Sequence, residues 1–138
     1  MKSTKQFFFA QTATFIQQHL YNESTKRLLR TVYNDKNGGG VSQLANPIGG
    51  FVDDYAFLIR GLLDLYEAGF DWHWVEWALE LQEIQNQLFW DESLHGFFTS
   101  PEGDPSIVLR LKEDQVSQLK IKSRMANSKY RSKHLGDF

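Results

Sequence analysis

The chain has 138 residues, of which 41% are hydrophobic, 23% charged and 14% aromatic. This length suits one domain with a core, and this composition is typical of a globular chain, which excludes the collagen-like and disordered classes. The formal net charge of -2 provides no concentrated basic surface, so we expect neither nucleic acid nor an anionic membrane as a partner.

The chain contains no cysteine, which excludes disulfides, thiol redox chemistry and a thiolate zinc site. The four histidines are His19, His73, His95 and His134. They form no i, i+4 pair, and the Gly38–Gly40 run lacks the Lys-Ser/Thr of a phosphate-binding loop, so we predict no metal and no cofactor. The apolar run Phe7–Ala10 is too short for a signal-peptide core or a membrane span, which leaves the compartment open.

A helix is the first element predicted, over residues 7–20. Its apolar side chains recur every three or four positions and form one face. They are Phe8, Phe9, Ala13, Ile16 and Leu20. The next apolar run, residues 28–33, ends in β-branched and aromatic residues, which predicts a short strand or extended loop before a glycine-rich turn at residues 37–40.

Two further helices are predicted in the middle of the chain. The second runs to about residue 68, with Asp53 or Asp54 available to cap its start and Gly69 to end it. Asp71 is expected to cap the third, which ends near residue 90. Because the connection is so short, these helices should form an antiparallel hairpin.

A β-hairpin is predicted after the third helix. Its strands would be the short extended runs Gly96–Thr99 and Ile107–Leu111, separated by a connection that contains two prolines.

Several stretches of the sequence resemble the spermatogenesis-associated protein 20 family in a constant order. They include Gly50–Phe57, Arg60–Ala68, Trp77–Leu79, Leu88–Asp91, Gly96–Phe98 and Leu109–Gln115. The resemblance implies a thioredoxin-like domain followed by an (α/α)6 toroid similar to acylglucosamine epimerases and six-hairpin glycosidases. For this chain we therefore predict an all-α fold with small β-hairpins, which forms part of such a toroid and leaves the ring incomplete.

The domain boundary is predicted at residue 115. Residues 1–115 would be the toroid fragment, whereas residues 116–138 depart from the family pattern. Residues 120–138 carry six basic side chains against one acidic side chain. We expect residues 116–138 to be a divergent, disordered basic tail.

Two adjacent carboxylates, Asp53 and Asp54, are the candidate catalytic residues. In a sugar-binding toroid such acids act as general acid and base. Helix capping is the competing interpretation, because neighbouring helical residues point about 100° apart and rarely face each other. The resemblance places this helix start at the cavity end of the toroid, which makes Tyr55 a candidate ligand-binding residue.

Further candidate ligand-binding residues follow the third helix: Trp90, Phe97, Phe98, Arg110, Lys112 and Asp114. The aromatic rings would stack on a sugar ring, or would close the end of a helical hairpin. The charged side chains would hold a carboxylate or phosphate, or would alternate along a solvated strand.

Two functional interpretations stay open. In the first, the chain is a fragment without catalytic activity of its own, whose parent acts in spermatogenesis or redox regulation. In the second, it is part of an epimerase-like or glycosidase-like enzyme that binds a small carbohydrate. Without the rest of the ring we expect exposed apolar side chains, leading to self-association or chaperone capture. These side chains are Phe51, Phe57, Leu65, Trp72, Val75 and Leu79.

Overall fold

The structure is a computed structural model that describes residues 4–42, 47–105 and 107–112. It divides into two compact units, Met1–Gly50 and Phe51–Phe138. Over the described residues it contains three α-helices and small antiparallel hairpins, as predicted for the fold class. The predicted basic tail, residues 116–138, lies outside these residues.

Over its described residues, 4–42 and 47–50, the first unit consists of one helix and two hairpins. Its elements are α1 (Thr4–His19), β1 (Tyr21–Asn22), β2 (Arg27–Leu28), β3 (Tyr33–Asn34) and β4 (Val41–Ser42). The predicted helix is confirmed, but only Ala13 is buried on it, while Phe8 and Phe9 are 65% and 58% exposed. Of the apolar face predicted for α1, Phe8 and Phe9 therefore lie largely in solvent, whereas Ile16 and Leu20 are half-buried.

The second unit is built on a helical hairpin. Its elements are α2 (Val52–Gly69), α3 (Trp72–Phe89), β5 (Trp90–Asp91) and β6 (Gly96–Phe97). Tyr55 near the start of α2 packs against Phe89 at the end of α3, with ring centroids 5.5 Å apart. Tyr66 near the end of α2 packs against Trp72 at the start of α3, at 5.9 Å. These contacts confirm the predicted antiparallel hairpin.

The core of the second unit lies between these two helices. Its fully buried side chains include Tyr55, Ile59, Leu62, Leu81 and Phe89. Leu65 and Val75 were expected to be exposed, but this is wrong, since both are buried. Two facing helices with apolar stripes of this width cover more than one row of side chains. Phe57, by contrast, is 63% exposed, as expected.

The turn between the helices differs from the prediction at one position. Gly69 is the last residue of α2, and Phe70 adopts the left-handed conformation that ends the helix, with φ 55°. Its N–H donates to the Tyr66 carbonyl at 2.7 Å. Asp71 caps α3 as predicted, and its carboxylate accepts from the His73 N–H at 3.1 Å.

The predicted pairing of Gly96–Thr99 with Ile107–Leu111 is wrong. β6 pairs with β5, and residues 107–112 have no regular structure. They attach to the hairpin through the Thr99 N–H, which donates to the Leu111 carbonyl at 2.8 Å. Closing the short local turn costs less chain entropy than pairing across the proline-containing connection.

Both units contain the same motif of a helix followed by a tight hairpin. The equivalent cross-strand pairs are Tyr21 with Leu28 in the first unit and Trp90 with Phe97 in the second. In each turn, the side-chain oxygen of Asn22 or Asp91 accepts from the N–H of the serine two positions later. The residue in the left-handed conformation is also equivalent, Lys26 at φ 54° and His95 at φ 51°.

The hydrogen bonds around the two hairpins repeat as well. The Leu29 N–H donates to the Leu20 carbonyl, as the Phe98 N–H donates to the Phe89 carbonyl. In each unit a later segment is also attached to the residue that follows the hairpin. The Arg30 N–H donates to the Ile48 carbonyl, and the Thr99 N–H donates to the Leu111 carbonyl. One constant offset in the sequence relates all these residues except the two acceptors in the later segments, Ile48 and Leu111, so α1 is the structural equivalent of α3.

Candidate functional site

The candidate residues within the described part of the chain meet at one end of the α2–α3 hairpin, which we call the hairpin end. It consists of the start of α2, the end of α3, the β5–β6 hairpin and residues 107–112. The Val52 N–H donates to the Thr99 carbonyl at 3.1 Å, and the Glu102 N–H donates to the Leu88 carbonyl at 3.0 Å. These bonds tie the segment after α3 to both helices.

Asp53 and Asp54 lie in the first turn of α2, where negative charge is favoured by the helix dipole. Phe51 is the N-cap residue, and Asp54 accepts a hydrogen bond from its N–H at 2.7 Å. The capping interpretation thus accounts for Asp54, although the aspartate acts from within the first turn. Asp53 is half-buried beside it.

The candidate aromatic residues divide by burial. Tyr55 and Phe97 are each 1% exposed, so they present almost no surface to a ligand in this structure. Trp90 is half-buried and packs edge-on against Phe97, with ring centroids 4.9 Å apart. Phe98 is also half-buried, and its ring faces the guanidinium of Arg110. All four side chains help to close the hairpin end.

Arg110 joins three parts of the hairpin end. Its guanidinium donates to the Leu88 carbonyl at 2.9 Å and to the Ser100 carbonyl at 3.3 Å. The same group lies 3.9 Å from the centroid of the Phe98 ring, a cation–π distance. Arg110 and the Glu102 N–H therefore both donate to the Leu88 carbonyl, which lies in the last turn of α3, where helices leave such groups without internal partners.

Lys112 and Asp91 form an ion pair that joins residues 107–112 to β5. Asp91 also accepts from the hydroxyl and the N–H of Ser93, at 2.6 and 2.9 Å. The hydrogen bond from Lys112, followed by that from the Ser93 hydroxyl, holds the pKa of the Asp91 carboxyl well below its ordinary value. Asp114, the remaining charged candidate, lies outside the described residues.

A buried polar ladder on α3 was missed by the sequence analysis. Gln85 is fully buried, and its side-chain amide donates to the Val52 carbonyl at 3.2 Å. Gln82 donates to Gln85 at 2.8 Å and to Asn86 at 3.2 Å. Sequence spacing could have indicated that Gln85 is buried, because it lies four positions after Leu81 and therefore on the apolar side of the helix.

Ser100 is a second buried polar residue that the sequence analysis missed. It is 6% exposed, and its hydroxyl has no hydrogen-bond partner among the residues that the structure describes. Its carbonyl is one of the two that accept from Arg110.

Other kinds of site were sought over residues 4–42, 47–105 and 107–112. This part of the chain contains no cluster of side chains that would hold a metal ion, and no helix long and apolar enough to cross a membrane. A shallow, open depression runs along α1 and is lined by Phe7, Gln11, Thr14 and Gln18 among others. None of the candidate residues lines it.

The chain is similar to curated proteins that are much longer. It is 50% identical to spermatogenesis-associated protein 20 of Rattus norvegicus and 47% identical to that of Homo sapiens, each over 104 residues, which are 75% of this chain and 13% of the relative. It is 40% identical over 103 residues to an uncharacterised protein of Caenorhabditis elegans. No family model and no solved structure matches the chain. The aligned part thus spans 13% of the length of these relatives.

Proposed function

We propose that this chain, which is homologous to spermatogenesis-associated protein 20 over 75% of its length, is a structural, non-catalytic part of a helical toroid. One observation carries this proposal: the polar side chains of the hairpin end hold the backbone together. Arg110 binds two carbonyls, Asp54 binds the N–H of Phe51, and the Asp91 carboxylate binds Lys112 and Ser93. Groups engaged in this way stabilise the fold and are poorly placed to exchange protons with a substrate.

The repeated helix and hairpin motif supports the toroid. A ring of helical hairpins is built from equivalent units, each of which buries its faces against its neighbours. Two such motifs occur in this chain, with the same cross-strand register and with a hydrogen bond from equivalent donors, Arg30 and Thr99, to a later segment. We therefore propose an incomplete (α/α)6 arrangement, completed in the longer relatives.

For the full-length relatives we propose a role in spermatogenesis, with which their name associates them, or in redox regulation. This chain contributes no thiol to such chemistry, because it has no cysteine. Its part would be to build the helical domain.

For the isolated chain we propose self-association or capture by a chaperone. Phe8, Phe9 and Phe57 are all more than half exposed, and apolar surface of this kind favours association. Light scattering after size-exclusion chromatography should give a mass above the 16.1 kDa of one chain. A monodisperse monomer would contradict this.

The carbohydrate-active alternative is tested directly. We would titrate the purified chain with N-acylhexosamines and glucosides in a calorimeter and assay it for epimerisation and hydrolysis. We expect neither heat nor turnover, because a catalytic cavity needs groups that converge on a water-excluded site. Turnover that is abolished by Asp54→Asn, and retained in the exposed control Asp64→Asn, would show that the chain is an enzyme.

A further inference from the structure

Three phenylalanines give α1 an apolar surface that the structure leaves in solvent. Phe8, Phe9 and Phe15 are 65%, 58% and 43% exposed. A helix of this kind rarely persists alone, because most helical stability in proteins comes from packing of the apolar face. The surface formed by these three residues, which we call the α1 seam, therefore needs a partner.

The internal repeat shows which kind of partner fits. At the offset that relates the two hairpins, Phe8, Phe9 and Phe15 correspond to residues of α3, which are Trp77, Ala78 and Ile84. These three residues are 3%, 0% and 5% exposed. The helix that α3 packs against is α2. The α1 seam thus occupies three of the ten positions that α3 buries.

The other side of α1 agrees with this correspondence. Gln11, Thr14 and Gln18 are exposed and polar, and their equivalents on α3 are Glu80, Glu83 and Gln87, which are polar as well. Phe7 is an exception, because its equivalent is the exposed Glu76, and so are Gln6 and Thr12, whose equivalents are the buried Val75 and Leu81. The α1 seam therefore matches one part of the buried surface of α3, and the polar sides of the two helices coincide at Gln11, Thr14 and Gln18.

We propose that the α1 seam binds an antiparallel amphipathic helix equivalent to α2, supplied by the segment that precedes the counterpart of α1 in the longer relatives. The relatives are long enough to supply such a segment, because the match covers only 13% of their length. The bound helix has an apolar stripe like that of α2, where residues such as Tyr55, Ile59 and Leu62 are buried. This binding does not depend on whether the full-length relatives are enzymes.

The experiment uses the whole chain and a labelled synthetic peptide. The peptide is about 20 residues long, enough for a helix of about 30 Å, and matches the segment directly before the counterpart of α1 in the rat relative. Fluorescence anisotropy should show saturable binding, with a gain of helix in the circular dichroism spectrum. Phe8→Glu and Phe15→Glu should each weaken binding at least about tenfold, since a charge buried without a partner costs more than 1.4 kcal/mol.

Two matched controls carry the same new charge on the polar side of α1. Thr14→Glu and Gln18→Glu should leave the affinity unchanged, and Phe8→Ala, which adds no charge, should weaken binding less than Phe8→Glu. Equal loss with both sets of variants, or no binding by a chain whose α1 is helical, would overturn the proposal. It would also be overturned if Phe8→Glu dissociated a dimer while peptide binding stayed the same, because the seam would then bind a second copy of the chain.

Discussion

Arg110 shows how one side chain can hold several segments of this molecule. It donates to the Leu88 and Ser100 carbonyls and lies against the Phe98 ring. We expect Arg110→Ala to lower the free energy of unfolding by about 2 kcal/mol, since hydrogen bonds to charged groups contribute about 1.5–3 kcal/mol. Urea denaturation would measure this. The control Arg60→Ala, at an exposed i, i+4 ion pair with Asp64, should cost less than about 0.5 kcal/mol; equal losses would contradict the assigned role.

The Asp91 carboxyl should make the free energy of unfolding depend on pH. Its pKa is lowered in the folded chain, chiefly by Lys112, so the unfolded chain binds the proton more readily. The carboxylate therefore stabilises the fold above its unfolded pKa of about 3.9, and this stabilisation is lost as the pH falls towards the folded pKa. The difference in unfolding free energy between the native chain and Asp91→Asn should be largest near neutral pH and should shrink in acid. A difference that stays constant with pH would refute this.

Among the elements, the turn between α2 and α3 carries an identifiable strain. Phe70 is 76% exposed and has a left-handed backbone, which costs a residue with a Cβ atom about 1–2 kcal/mol. We expect Phe70→Gly to be more stable than Phe70→Ala by about 1 kcal/mol, because both lose the ring but only glycine relieves the strain. Thermal and urea melts of the two variants would test this, and an alanine variant as stable as the glycine variant would exclude the strain.

At the scale of the whole molecule, the two units should differ in local stability. The second unit buries a continuous core between α2 and α3, whereas α1 buries only Ala13. Local opening is easiest where few apolar contacts are made. Hydrogen exchange should therefore be slowest at the amides of α2 and α3 and fast along α1. Protection of α1 equal to that of α3 would mean that the α1 seam is already covered in the isolated chain.

The role of the candidate residues as a ligand site stays a prediction. They were chosen for their side-chain chemistry, and the structure brings several of them together at the hairpin end, among them Asp54, Trp90 and Arg110. The sequence could not show that Tyr55 and Phe97 are buried, because an aromatic side chain suits a ligand-binding surface as well as a core. The buried Gln85 was missed, since polar residues are ordinarily assigned to the solvent side of a helix.

By itself, the sequence determined the three helices, the antiparallel α2–α3 hairpin and the Asp71 cap. These follow from the spacing of apolar residues and from one short connection, which act over neighbouring positions. Only the tertiary structure decided that β6 pairs with β5 and that Arg110 binds the end of α3. It also revealed that α1 repeats α3. Those features depend on which segments meet in space. The repeat is hard to see in the sequence, because the two hairpins share hydrogen bonds but few identical residues, such as Glu23 with Glu92 and Ser24 with Ser93.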